Sequence, residues 1–188
     1  MTNPSIFIIN PEDRTSADVF FLETISKQEI VSVEHEELDR NISLYYGYLS
    51  EMDDKFRVNL FAIPGATSFK RILPQVLKTN LTPSILGYIF MIDARVVSEF
   101  DYPKEYLPVF YDIVGKDIPH VIAVVNTDKP TAREISTLRH EYDIPKHVKI
   151  IPCDQRNRAS VKNVLMEFIS IVEITPISDK VKKAIETL

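Results

Sequence analysis

Five carboxylates fall just beyond apolar runs of the chain: Glu12, Asp13, Asp93, Asp128 and Asp154. If those runs are parallel strands, their carboxyl ends share one side of a sheet, the usual ligand position of open α/β folds. Carboxylates gathered there can hold Mg²⁺ through hard oxygen ligands. Cys153 stands beside Asp154 and is either a reactive thiol or a small semi-buried side chain. His120 and His147 begin apolar runs while His35 and His140 stand apart, so no His/Cys spacing has the form of a zinc site. Neither Ser nor Cys lies in a Gly-x-Ser-x-Gly context, which removes the nucleophile-elbow hydrolases. Tyr45, Tyr46 and Tyr48 cluster on one short segment and serve either as aromatic anchors for a partner or as core side chains.

The elements that must position these residues alternate along the chain. Residues 5–10, 42–49, 56–62, 86–93, 120–126 and 148–152 read as strands, several of them almost continuously apolar. Helical patterns cover 16–27, with Val19, Phe20, Leu22 and Ile25 for its buried side, and then 69–77, 104–114, 131–142 and 160–172. Thr131 with Glu134 has the spacing of a capping box. The polar spacer 50–55 suggests an antiparallel hairpin between the second and third strands, which would put the tyrosines on or near a sheet edge. After Thr175-Pro176, apolar residues at 177, 181, 184, 185 and 188 make one face of a short final helix. The expected fold is α/β: a six-stranded, mostly parallel sheet with helices on both faces, residues 1–173 forming one domain and 174–188 a helical extension.

At 188 residues the chain suits one ordinary domain, and its net charge of −5 is mixed along its length. No concentrated basic surface exists for nucleic acid, and no apolar run approaches the roughly 18 residues of a membrane span. The opening segment lacks a basic n-region, so a cytoplasmic protein is expected.

The element order resembles that of the Ras-like small GTPases. Ala62-Ile63-Pro64-Gly65 ends a strand as the switch II motif does, with Phe69 following, and VIAVVNTD ends another like the base-recognition motif. The run Cys153-Asp154-Gln155-Arg156-Asn157-Arg158-Ala159-Ser160-Val161-Lys162 is similar to the last loop and helix of prokaryotic members encoded beside roadblock-type partners. The resemblance implies a G-domain fold over roughly residues 5–172. It implies base-side nucleotide contacts at Asn126, Asp128, Cys153, Asp154 and Gln155, and a partner interface at Tyr45, Tyr46, Tyr48 and Phe69. It also implies a roadblock- or longin-type protein partner.

The sequence departs from that family where phosphate is held. A Gly-x-x-x-x-Gly-Lys-Ser/Thr loop turns backbone N–H groups and a Lys toward the phosphates, and its Ser/Thr holds Mg²⁺. Residues 10–18 contain no glycine and no lysine; Pro11 has no N–H to offer, and Glu12 and Asp13 carry the wrong charge. Like charges about 4 Å apart repel by about 4 kcal/mol at an effective dielectric near 20. Ala62 replaces the switch II Asp, Ala66 the water-orienting Gln, and Asn126-Thr127-Asp128 is one residue short of the base motif. The expectation is a GTPase-like protein that is not an enzyme, has no catalytic residue, metal or cofactor, and acts through protein contacts. The alternatives are an atypical small GTPase holding GTP or GDP with Mg²⁺ as a switch, and a receiver-like or Mg²⁺-binding acidic site at the strand ends.

Overall fold

Alternation within each strand builds the core. In β1 (Ser5–Asn10) Ile6 and Ile8 enter one apolar layer, Phe7 and Ile9 the other. In β6 (His120–Val125) Val121, Ala123 and Val125 oppose Ile122 and Val124 in the same way. Both faces of such strands must be covered, and helices cover them. The computed structural model describes residues 3–11, 17–26, 30–34, 43–50, 57–64, 74, 85–95, 102–172, 176–186 and 188. Apart from Pro74, which is helical, the expected helix 69–77, Phe69 included, lies outside the described residues, as do Glu12 to Ser16, Gly65 and Ala66.

The remaining strands are β2 (Val31–Glu34), β3 (Ser43–Ser50), β4 (Arg57–Pro64), β5 (Ile85–Asp93) and β7 (Lys149–Pro152). The helices are α1 (Ala17–Ile25), α2 (Tyr102–Val114), α3 (Ile135–Glu141), α4 (Arg158–Ile169) and α5 (Pro176–Glu186). The sheet runs β2-β3-β4-β1-β5-β6-β7, and only β3 opposes the others. The α/β architecture and the mostly parallel sheet are as expected. The short strand β2 joins the six strands read from sequence, pairing Val31 with Tyr46. Strand β3 is therefore one place in from the edge, not on it. The alternation Val-Ser-Val-Glu is only four residues long, too short to stand out by periodicity.

The layer containing Phe7, Phe61, Phe90 and Leu107 packs α2, while that containing Ile8, Phe21, Val164 and Leu165 packs α1, α4 and α5. Helix α4 shows its expected stripe, with Val161, Val164, Leu165, Phe168 and Ile169 buried. Helix α5 folds back onto the domain, burying Val181, Ala184 and Ile185, and Lys162 Nζ donates to the Glu186 carbonyl at 2.8 Å. Gly87 has φ +152°, and a Cβ there would sit 2.0 Å from the Pro119 carbonyl oxygen. Only glycine fits that approach.

The capping-box reading is corrected. Helix α3 starts at Ile135, and its N-cap Glu134 makes no side-chain cap bond. Thr131 to Arg133 are drawn into backbone pairing instead: Ala132 bridges Arg95, and the Arg133 N–H donates to the Ala94 carbonyl at 2.9 Å. These tertiary bonds outcompete one more turn of helix.

Candidate functional site

The carboxyl ends of β5, β6 and β7 open onto one cleft of about 700 Å³. Asn126, Asp128, Cys153, Asp154 and Gln155, which the sequence places after two different strands, all line it. Parallel pairing brings them together, because Val124 lies beside Pro152 and the Cys153 N–H reaches the Val124 carbonyl at 2.7 Å.

Asn126 leaves β6 with φ +58°, a left-handed conformation that asparagine tolerates better than most side chains. Its Nδ2 donates to Asp93 Oδ2 at 2.8 Å. Asp93 is buried and also receives the Arg95 guanidinium, Nε on Oδ1 at 3.0 Å and Nη2 on Oδ2 at 2.7 Å. Asp93 is thus an internal anchor that fixes both Asn126 and Arg95, rather than an open metal ligand.

The neighbouring turn exposes Asp128, whose side chain is 74% accessible and pairs with Lys129 Nζ at 2.9 Å. That hydrogen bond lowers its pKa and keeps it an acceptor. A carboxylate in this state can accept from adjacent N–H groups on a base edge.

On the other wall, the turn after β7 is held by its own side chains. Asp154 Oδ1 accepts the Arg156 N–H at 3.0 Å, the Asp154 N–H donates to Ser160 Oγ at 2.9 Å, and Asn157 caps α4 through the Ser160 N–H. The Thr24 hydroxyl lies 2.8 Å from both the Phe20 and Gln155 carbonyls and can donate to either, tying this turn to α1. Cys153 is buried, and desolvation pushes its thiol up to about 12, so it packs rather than reacts.

Phe20, Arg95 and Arg156 line the cleft although the sequence reading gives them no site role. Phe20 belongs to the helical pattern assigned to the core, yet Phe21 takes the core position and Phe20 is half-buried at the cleft. The Arg156 guanidinium lies over its ring, 4.1 Å from the centroid. A run of apolar residues such as Val19 to Leu22 fixes no face by itself, so no sequence signal separated the two phenylalanines.

The tyrosines do not form one patch. Tyr45 packs against the α1/α4/α5 layer, whereas Tyr46 lies on the other face against Phe61, ring centroids 5.3 Å apart. Tyr48 is 5% exposed, with Arg57 4.5 Å above its ring. Tyr46 keeps a polar link, donating to Asn59 Oδ1 at 3.0 Å. Among the described residues no group of three or more His, Cys, Asp or Glu could hold a metal, and no helix is long and apolar enough to cross a membrane.

The chain matches no protein family model and no curated protein. It is similar in fold to the cytosolic domain of the T. maritima FeoB iron transporter in its apo form, at 10% identity and a TM-score of 0.58. The likeness covers 91% of this chain and 65% of that one, so the chain spans a little under two thirds of that structure's length. The expectation that the chain is not an enzyme does not stand. One structural neighbour is a G-domain GTPase, and residues 12–16 of the loop that departs from the phosphate-binding pattern lie outside the described residues. A missing glycine cradle removes one way of holding phosphate; it does not establish inactivity. What the geometry and the likeness show together is a GTPase-like G-domain fold with its strand-end cleft in place.

Proposed function

We propose that this chain is an atypical small-GTPase-like protein that takes a guanine nucleotide by its base end and passes the bound state on to a protein partner. The observation that carries the reading is the convergence of Asn126, Asp128 and the turn from Cys153 to Arg156 on one cleft. Its size suits a nucleoside with room beyond it. Asp128 supplies an ionised acceptor for the N1 and N2 donors of guanine, and Phe20 supplies an apolar wall. On the family resemblance the partner is of roadblock or longin type. It would meet the β2–β3 side of the sheet, where Val31 is 55% exposed beside Tyr46.

Calorimetric titration with GTP, GDP and ATP in Mg²⁺ tests this. Guanine nucleotides should bind in the micromolar range and ATP about tenfold more weakly or worse, the scale of a lost charge-assisted hydrogen bond. Asp128→Ala should erase that preference. Equal affinity for ATP and GTP, or no binding of either, would overturn the proposal.

A further inference from the structure

We propose that Arg156, with Arg95, forms an anion site in the strand-end cleft that takes the phosphate of a bound nucleoside phosphate. Side-chain cations would then do what a glycine loop does with backbone N–H groups. The inference rests on the nucleotide reading above and adds the anionic end of the ligand.

Among the described residues three cations line the cleft: Arg95, Lys129 and Arg156. Lys129 is paired with Asp128. Arg95 is clamped by the buried Asp93, which sets the direction of its guanidinium while leaving the side chain about one third accessible. Among the described residues Arg156 has no carboxylate partner for its guanidinium, which rests on the Phe20 ring. Its backbone is fixed because the Arg156 N–H donates to Asp154 Oδ1. Among the described residues the two carboxylates on the cleft are thus engaged, Asp128 with Lys129 and Asp154 with that N–H.

A guanidinium stacked on an aromatic face is weakly hydrated, and its N–H fork lies in its own plane, free to chelate oxygens beyond the ring. Such a fork matches phosphate better than an ammonium does. The ligand class is a nucleoside mono- or diphosphate whose phosphate turns toward the Arg156 guanidinium.

The test compares guanosine, GMP, GDP and pyrophosphate by calorimetry on the full chain, its Arg156→Met variant and an Arg95→Met variant. Arg156→Met is the primary variant, since Arg95→Met leaves Asp93 buried without its counter-ion; a melting curve accompanies each. GMP should bind about tenfold more tightly than guanosine, and in Arg156→Met the two should bind with about equal affinity. The gain should shrink as salt is raised. Guanosine and GMP binding equally, or a gain that survives in Arg156→Met, would remove the anion site and leave the base-end reading standing. Pyrophosphate binding that depends on Arg156, without guanosine binding, would support the site and remove the nucleotide reading. Binding of none of the four refutes both.

Discussion

Asp18 is wholly buried in the first turn of α1, and burial pushes its carboxyl from 3.8 up to about 6. The Asn10 Nδ2 donor, 3.3 Å from Oδ1, and the backbone N–H groups of Val19 and Asp18 oppose that rise. They do not cancel it, for among the described residues Oδ2 has no hydrogen-bond partner. The folded chain therefore holds this proton more tightly than the unfolded chain does. Stability owed to Asp18 is fully present below pH 3.8, declines as the pH rises toward about 6, and stays low above it. At about 1.4 kcal/mol per pKa unit, the loss across that window is about 3 kcal/mol. Asp18→Asn keeps the shape and has no proton to lose. Urea unfolding followed by circular dichroism at pH values from 3 to 8 should give a wild-type minus variant difference that falls by about 3 kcal/mol across that range. Subtracting the variant cancels the titration of every other acid. A difference that is flat with pH would show that the folded protein holds Asp18 with an ordinary proton affinity, and the burial reasoning would be wrong.

Two further outcomes follow from packing. Gly87→Ala should destabilise the fold by about 3 kcal/mol or more, because its Cβ would meet the Pro119 carbonyl at 2.0 Å on a backbone already at φ +152°; a thermal melt unchanged from wild type would refute that. Cys153, buried with its thiol pushed up to about 12, should resist iodoacetamide at pH 8 in the folded chain and react readily in denaturant. Mass spectrometry of the alkylated protein measures both, and equal rates would contradict the burial.

Much of the fold is legible because long apolar strands leave little choice. Runs such as those of β1, β5 and β6 can only lie between two helical layers, and the stripe of α4 names its own buried face. Short or ambiguous segments were not legible. Four alternating residues at β2 carry too little pattern, and the expected helix start at Thr131 is lost because Ala94 and Arg95 compete for the same backbone. The cleft residues Asn126 and Cys153 to Gln155 could be named from the resemblance, since parallel strands make their ends neighbours. The cationic lining could not. Arg95 enters the cleft because Asp93 turns it there, and Arg156 because Phe20 lies under it; both depend on contacts between residues far apart in sequence.

The docking of α5 bears on how the chain is made. Its buried residues Val181, Ala184 and Ile185 belong to the same apolar layer as Ile6, Leu49 and Val58, and the helix packs against β3 and β4. That layer cannot close while those residues are still inside the ribosome. During synthesis the early strands must wait, one apolar face incompletely covered, until more than about a hundred further residues have emerged, and contacts of such sequence separation form late. The interval between making β4 and releasing α5 is therefore when a chaperone would find the most to hold.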